Sequence, residues 1–380
     1  MTNIKHRQYN GLPKTKIGVV TWCGGTNYGT NLQAYAIIKA LSNLGYEPYF
    51  IHGFNHLKFG FKDLICGVLF KTNTYFFVKK ILKRDPQYNK IAKFQKEEIP
   101  TLYITSVNQY NRLLESVPVF LSASDQIWNP DWTSGFMMLD FAEECKRISY
   151  ATSIGVSKLP AEKEAFYKRH LSKYNHISLR EQAGVEIIKK LLPDAEPCKV
   201  LDPTFLLTSS DWRQFSSKAE IEIKLPKRFL LVYLIGKNEF YKDYLKTVSD
   251  AMPELEIVTI NSAESGLAEV DNGISYSKGG PREFVKLIHL AEYVVTDSFH
   301  ACALCVNMSK EFSVLKRFKD TAHTSQNSRI YDLLKTFGLK SRLMDSNEFI
   351  EPGNEIQEAN VILQKEREEN LGFLRMMVDD

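Results

Sequence analysis

The sequence lacks a long apolar run. No stretch of the 380 residues reaches the roughly 20 apolar residues needed to cross a bilayer. The opening segment, MTNIKHRQYNGLPK, is polar and lacks the apolar core of a signal peptide. Cysteine is sparse, and the six residues are far apart, which predicts reduced thiols rather than a disulfide framework: Cys23, Cys66, Cys145, Cys198, Cys302 and Cys305. We therefore expect a cytoplasmic protein.

A dense stripe of one charge is also missing. The 49 Lys and Arg residues nearly balance 45 Asp and Glu residues, which leaves a net charge of +4. This balance permits small anionic substrates and predicts no nucleic-acid partner. The nearest basic concentration is Lys79-Lys80 with Lys83-Arg84. It is interpreted first as a solvated helix face, and second as a patch for peripheral association with anionic lipid at the inner face of a membrane.

The composition is that of a globular protein, with 44% hydrophobic and 25% charged residues. The length suggests two domains. An apolar strand (17–22), a Gly-rich loop and a helix (32–44) open the chain, and a second alternating series starts at FLLVYLIG (229–236). This alternation predicts an α/β protein with two Rossmann-like domains facing across a cleft. We place the first domain at 1–205, with a helical insertion at about 54–100, and the second at 206–350. A loop over 264–280 is predicted to be mobile.

The most informative stretch is VVTDSFHACALCVNMSKEFSVLKR (294–317). A predicted strand ends before Ser298 and His300, a small-residue helix is expected from Ala301, and the next strand ends on Lys316 and Arg317. Ligands of open α/β sheets bind beyond the carboxyl ends of the strands. A helix N-terminus, a proton-transfer side chain and two cations at that edge favour a phosphate-bearing anion as substrate.

Two further strand ends in the first half carry polar groups. The loop after the first strand offers Asn27, Tyr28 and Asn31, but its glycines do not follow G-x-G-x-x-G, so a dinucleotide is not favoured. Neutral amides and hydroxyls suit a sugar; the alternative is an ordinary strand-to-helix turn. In SASDQIWNP (122–130), Asp125 is a candidate base and Trp128 a candidate face for a pyranose. The alternative makes them a cap and a packing residue.

Arg180 follows a predicted strand (176–179) and precedes a helix (183–192). A planar guanidinium at a strand end holds a carboxylate or phosphate well. The alternative is an ion pair with the adjacent Glu181 or another neighbour.

Four segments in order resemble the polysaccharide pyruvyl transferase family: TNYGTNLQAYA, SASDQIWNP, ISLREQAGVEIIKKL with VLDPTFLL, and TDSFHA with the later Lys-Arg pair. The resemblance implies a fold like that of glycosyltransferase-B enzymes, in which the last helix, here within 351–380, packs back towards the first domain. It also implies transfer of pyruvate from phosphoenolpyruvate onto two hydroxyls of a sugar. The product belongs to a cell-surface polysaccharide, such as a capsule or exopolysaccharide, or to its lipid-linked precursor.

The resemblance also suggests a role for each candidate residue. His300 is the expected acid and Asp125 the expected base. Phosphoenolpyruvate is expected to contact Arg180, Ser298, Phe299, His300, Lys316 and Arg317. The acceptor is expected to contact Asn27, Tyr28, Asn31, Gln126, Trp128 and Arg329. The chemistry requires no metal or other cofactor, since cations and a helix end can stabilise the leaving phosphate. Nothing in the sequence indicates an oligomeric state.

The chain departs from the family pattern at two places. Ala301-Cys302 stands where the family usually has Gly-Thr, and Ala123 stands where it usually has glycine. Cys302 and Cys305 form a C-x-x-C, but two thiols in an apolar helix are better interpreted as small hydrophobes than as a metal or redox site. The departures keep open a catalytically weakened binding subunit of a glycan-assembly system. A nucleotide-sugar glycosyltransferase of the same architecture is the second alternative.

Overall fold

A computed structural model describes residues 14–52, 86–238, 240–261, 273–317, 327–346, 348–349, 351 and 353–380. Most of the predicted helical insertion, including the basic residues at 79–84, lies outside this range, as does the first part (264–272) of the predicted loop at 264–280. None of the described helices combines the length and the apolar character needed to cross a membrane.

The first half is built on a five-stranded parallel sheet with the order β3-β2-β1-β4-β5. Its strands are β1 (Lys16–Val20), β2 (Glu47–His52), β3 (Thr101–Tyr103), β4 (Val119–Ala123) and β5 (Lys146–Tyr150). The other elements are α1 (Tyr28–Asn43), α2 (Pro86–Glu98), α3 (Val107–Ser116), α4 (Ala161–Leu171), β6 (Ser178–Leu179), α5 (Gln182–Leu191) and β7 (Cys198–Lys199). The strand order reverses between β1 and β4, which pair in parallel. The crevice of this half therefore lies beyond these two strands.

The second half has a six-stranded parallel sheet with the order β10-β9-β8-β11-β12-β13. Its strands are β8 (Phe229–Tyr233), β9 (Glu256–Ile260), β10 (Ile274–Tyr276), β11 (Tyr293–Thr296), β12 (Glu311–Leu315) and β13 (Leu343–Met344). The helices are α6 (Ser209–Ser216), α7 (Phe240–Ala251), α8 (Pro281–Leu290), α9 (Phe299–Asn307), α10 (Ser328–Thr336) and α11 (Glu355–Asp379). The order reverses between β8 and β11, so α9 begins at the crevice.

Helix α1 is buried on opposite faces, which explains its apolar character all round. Leu32 and Ala36 belong to a core shared with the second half, whereas Ile37 and Leu41 pack into the core of the first sheet. Helix α1 therefore packs against both halves and holds them together.

Helix α11 likewise contacts both halves. Ile356 and Leu363 join the core shared with the second half, and Leu374 and Met377 join that of the first sheet. The Tyr46 hydroxyl donates to Asp379 Oδ1 at 2.6 Å near the helix end. The domain boundaries given above stay predictions.

Two local predictions need correction. Residues 274–276 form strand β10 rather than part of a mobile loop. Helix α9 begins at Phe299, two residues earlier than predicted, because the Ser298 hydroxyl caps it by accepting from the Ala301 N–H. His300 therefore lies in the first turn of the helix and not before it.

Candidate active site

The Asp202 carboxylate connects the two halves. It follows β7 and is 2% exposed. Arg180 Nη1 donates to its Oδ2 at 2.7 Å, and the Ser124 hydroxyl donates to the same oxygen at 3.1 Å. The backbone N–H and the hydroxyl of Thr204 donate to Oδ1 at 3.0 and 2.7 Å. From the second half, His300 Nε2 approaches Oδ2 to 3.8 Å. One carboxylate thus gathers groups from three loops of the first half and from α9.

The charges of this cluster support one another. Burial opposes ionisation of Asp202, but Arg180, His300 and the Thr204 N–H outweigh it and lower the pKa of the carboxyl group. Burial also opposes the charge on Arg180, but Asp202 and Asp125 outweigh it and raise the pKa of the guanidinium. Both groups are therefore ionised at neutral pH.

The cluster contains side-chain nitrogens without a hydrogen-bond partner. Arg180 Nε and Nη2 and His300 Nε2 are buried, and none has a hydrogen-bond partner in the part of the chain that the structure describes. Arg180 Nη2 lies 3.9 Å from Asp125 Oδ1, beyond hydrogen-bond range, and its guanidinium lies 4.5 Å from the centre of the Phe299 ring. These atoms lie beyond the carboxyl ends of the strands, where ligands of open α/β sheets bind, so together with this position they indicate a candidate ligand site.

His300 is held between the two halves. The imidazole lies directly against Gly29 in the first turn of α1: a Cβ added at Gly29 would lie 2.1 Å from Nδ1. Burial lowers the pKa of His300; the carboxylates of Asp202 and Asp125 act in the opposite direction, and the cations of Arg180 and Arg329 reinforce the effect of burial. The free protein therefore holds a neutral imidazole at pH 7, which an anionic ligand would make more basic.

Asp125 lies at the end of β4 in a constrained turn. Ser124 and Asp125 have positive φ values of 34° and 51°, a conformation that non-glycine residues seldom adopt. The Thr30 hydroxyl donates to Asp125 Oδ2 at 2.8 Å, and the Gln126 N–H donates to Oδ1 at 2.9 Å. Strain of this kind is common at functional sites. The turn holds the carboxylate beside Arg180.

Arg329, at the start of α10, adds a second guanidinium close to that of Arg180. It lines one cavity together with Arg180, Asp202 and Phe299. Burial and then the charge of Arg180 lower the pKa of Arg329 to about 10. Two guanidiniums held close enough to disfavour each other's charge suit a ligand with several negative charges.

Lys316 and Arg317 follow β12, and each contacts residues outside the Asp202 cluster. Lys316 lines a different cavity, of about 330 Å³, and its ammonium lies 5.9 Å from the centre of the Tyr331 ring. Arg317 Nε lies 3.5 Å from Asp297 Oδ2, while the guanidinium contributes to the electrostatic field at Arg329. The predicted contacts of Lys316 and Arg317 with phosphoenolpyruvate stay predictions.

Three predicted acceptor contacts also need correction. The Tyr28 ring is fully buried, stacks on Phe284, and donates its hydroxyl to the Gly279 carbonyl at 3.0 Å. Asn31 is fully buried and joins the Gly24 and Asn27 backbones. Trp128 is fully buried, with its indole N–H near the Ser122 hydroxyl at 3.1 Å. These side chains hold the loops in place and present no face to a sugar.

The remaining predicted residues lie at the crevice, where they make hydrogen bonds or ring contacts with other residues of the site. Asn27 caps α1 by accepting from the Thr30 N–H at 3.0 Å. Gln126 Oε1 accepts from Asn129 at 2.9 Å. Ser298 caps α9, and Phe299 lies beneath the Arg180 guanidinium. These contacts leave their proposed roles toward substrate as predictions.

Two residues of the site, Asp202 and Glu181, are not among the candidates predicted from the sequence. Glu181 Oε1 accepts from the Ser153 hydroxyl and from the backbone N–H groups of Ile154 and Gly155 at 2.8 to 3.0 Å. Its Oε2 is buried without a hydrogen-bond partner among the described residues. In the sequence, Asp202 is followed by Pro-Thr at a strand end, which places it at the same edge of the sheet as Arg180. The same residues are also typical of a simple helix cap, so the sequence does not distinguish the two roles.

The cysteines in the described part of the chain are free thiols. Cys302 and Cys305 are fully buried in α9, where burial raises the pKa of each thiol. Among the described residues, no group of three or more His, Cys, Asp and Glu side chains is placed to hold a metal ion.

Comparison with solved structures defines the fold class first. The chain is similar to UDP-GlcNAc 2-epimerase from Methanocaldococcus jannaschii, with a TM-score of 0.51, 12% identity, and coverage of 96% of this chain and 100% of that one. It also matches the UDP-GlcNAc 2-epimerase from Neisseria meningitidis (TM-score 0.46, 11% identity, coverage 92% and 100%). At 12% identity the likeness to the first of these structures shows the fold alone, and it confirms the predicted glycosyltransferase-B-like arrangement of two Rossmann-like halves.

The family follows from a second comparison. The model of the polysaccharide pyruvyl transferase family matches residues 27–317, so the chain belongs to that family and is a transferase enzyme. This confirms the resemblance inferred from the sequence. A search of curated proteins finds no match.

Proposed function

We propose that this transferase moves pyruvate from phosphoenolpyruvate onto two hydroxyls of a sugar in a cell-surface polysaccharide or its precursor. The observation that carries the proposal is the set of buried, unpartnered nitrogens on Arg180 and His300 at the junction of the two halves. Arg329 lines the same cavity as Arg180 and adds a second guanidinium. A compact anion with a phosphate and a carboxylate would give these donors acceptors and would offset the two positive charges.

The donor-side chemistry assigns the acid to His300. Binding of the anion raises the imidazole pKa, so the ring takes up a proton next to the Asp202 carboxylate, 3.8 Å from Nε2. Transfer of that proton to the methylene carbon converts it to a methyl group and makes the neighbouring carbon electrophilic. Asp202 stays ionised because its pKa is lowered, and it holds the imidazolium in position.

The acceptor-side chemistry assigns the base to Asp125. One sugar hydroxyl attacks the electrophilic carbon and gives its proton to the carboxylate. The second hydroxyl then displaces phosphate at the same carbon and closes the ketal. The two hydroxyls release two protons in total. One of them replaces the proton that His300 delivered to the methyl group, and the other leaves with phosphate.

The positions of the residues that depart from the family pattern favour retained activity over a weakened binding subunit. The side chains of Ala301 and Cys302 are fully buried in α9, and that of Ala123 is buried in the core of the first sheet. The described ligand-facing groups lie elsewhere.

The test is phosphate release from phosphoenolpyruvate with methyl glycosides of galactose and of N-acetylhexosamines. We expect release that depends on one of these sugars and stops when either reacting hydroxyl is methylated. Excess UDP-GlcNAc should not compete. Absence of release with every glycoside, or competition by the sugar nucleotide, would contradict the proposal and favour the binding-subunit or glycosyltransferase alternative.

A further inference from the structure

Of the four tryptophans in the chain, two are fully buried: Trp128 and Trp212. Trp132 differs, since 47% of it is exposed. Its indole N–H donates to the Gln126 carbonyl at 3.0 Å, so its polar group is already satisfied. A large ring that is exposed, and whose N–H is tied to the backbone, offers an apolar face in a fixed orientation.

A second indole, that of Trp22, packs against this ring from the end of the neighbouring strand β1. The Trp22 ring centre lies 5.9 Å from that of Trp132, at 46° between the planes. Gln33 Nε2 donates to the Trp22 carbonyl at 2.9 Å and fixes that residue to α1. Trp22 follows β1 and Trp132 follows β4, so the pair flanks the crevice of the first half.

The pair is continuous with the candidate active site. The Gln126 carbonyl accepts from Trp132, and the Gln126 N–H donates to Asp125 Oδ1 at 2.9 Å. The exposed ring is therefore joined through a single residue to the proposed base. The Gly24-Gly25 backbone beyond Trp22 has φ values of 120° and 64°, and nothing lies within 4 Å of a Cβ added at Gly25, so this side is open.

We propose that Trp132, supported by Trp22, is the stacking platform for the acceptor pyranose. The apolar C–H face of the sugar ring covers the indole, and its hydroxyl edge points to Asp125. This role was predicted for Trp128, whose ring is enclosed in the core. The inference rests on the proposed function for the identity of the acceptor, and it assigns specificity to the acceptor side alone.

The platform is tested by kinetics with the methyl glycoside that supports phosphate release. Trp132→Ala should raise the KM for that glycoside by about tenfold, while Trp132→Phe, which keeps a ring, should cost less. The KM for phosphoenolpyruvate should not change. Tyr103→Ala is the matched control, because Tyr103 is an exposed aromatic (63%) on β3 and not at the crevice between β1 and β4. An unchanged glycoside KM in Trp132→Ala would overturn the platform and leave the proposed function standing.

A binding measurement separates the two proposals. The same methyl glycosides should protect wild-type tryptophan fluorescence from acrylamide, and Trp132→Ala should lose this protection while Tyr103→Ala keeps it. Protection without any phosphate release would support the platform and contradict the pyruvyl transfer. No protection by any of the glycosides in the wild type would overturn the platform.

Discussion

Two buried aspartates at strand ends, Asp202 and Asp297, make a direct comparison. Asp297 follows β11 and is 1% exposed. Its oxygens accept from the N–H groups of Ile235 and Gly236 at 2.8 and 2.6 Å and from the Tyr241 hydroxyl at 2.9 Å. These three hydrogen-bond donors are neutral, and two of them belong to the backbone; Arg317 Nε lies farther away, 3.5 Å from Oδ2. Asp297 therefore ties the end of β8 to that of β11.

Asp202 is equally buried, but a charged side chain is among its hydrogen-bond donors, at 2.7 Å. Arg180 pairs with it directly, and His300 approaches the same oxygen. After this pairing, buried donors remain unmatched on both residues. The comparison teaches that burial of a carboxylate does not mark a site by itself. What distinguishes Asp202 is that the unmatched nitrogens around it lie on Arg180 and His300, where the two halves meet beyond the strand ends.

The largest test replaces His300 by Gln. If this residue is the acid, turnover of phosphoenolpyruvate should fall about 10²- to 10⁴-fold, because a general acid contributes that much. The melting temperature should stay close to that of the wild type, since glutamine retains a polar group of similar size.

Asp297→Asn is the control for that variant. It removes an acceptor from fixed N–H donors, so the protein should lose about 1–3 kcal/mol of unfolding free energy while turnover stays close to that of the wild type. Urea unfolding and phosphate release measure the two effects. If Asp297→Asn reduced turnover as much as His300→Gln, the distinction between the two clusters would be wrong.

A second test uses the contact between α1 and the imidazole. Gly29→Ala places a methyl group 2.1 Å from His300 Nδ1, so the ring must move. Misplacement of a catalytic group by about 1 Å can cost about 10²-fold, and we expect a loss of that order in kcat. Gly372→Ala is a suitable control, because nothing lies within 4 Å of a Cβ added there. Equal kinetics in the two variants would place the working imidazole elsewhere.

A third test removes only the surplus donors of Arg180. Arg180→Lys keeps the charge beside Asp202 but loses the planar fork. Loss of charged hydrogen bonds of about 1.5–3 kcal/mol should weaken phosphoenolpyruvate binding roughly 10- to 100-fold. Calorimetric titration with phosphoenolpyruvate, beside the conservative Arg228→Lys at an exposed ion pair with Glu292, measures this. Unchanged affinity would mean that Asp202 uses all the binding capacity of Arg180.

The sequence predicted the strand ends better than the directions of side chains at those ends. Strand β11, the position of Asp125 and that of Arg180 followed from local pattern and from family motifs. Trp128 and Trp132 are four residues apart in one polar turn, and local pattern does not distinguish them. The positive φ values at Ser124 and Asp125 direct that turn, and they depend on contacts with Thr30 and Ser153.

Long-range partners explain the other errors. Asp202 acquires its role only when α9 brings His300 to it from about a hundred residues away. Lys316 and Arg317 are adjacent in sequence, but they line different surroundings, because successive residues after a strand point in different directions. Local pattern does not contain that information.

The smallest expected effect is on the pH dependence of stability, and it tests the Asp202 cluster without a measurement of turnover. Burial lowers the pKa of His300 in the folded protein below the value of about 6.5 for the unfolded chain. Below pH 6.5 the unfolded chain therefore takes up a proton that the folded protein does not, and stability falls as the pH drops towards the folded pKa. The slope is at most about 1.4 kcal/mol per pH unit from this residue.

The stability of His300→Gln should lack this part of the dependence on pH. His289→Gln removes another histidine of lowered pKa, on α8, and should keep the part that comes from His300. Saturating phosphoenolpyruvate should reduce the His300 contribution, because the bound anion raises the imidazole pKa. Thermal unfolding between pH 5 and 7, with and without phosphoenolpyruvate, measures both. If the ligand left the difference between wild type and His300→Gln unchanged, the anion would bind away from the imidazole. The surplus donors around Asp202 would then serve another ligand.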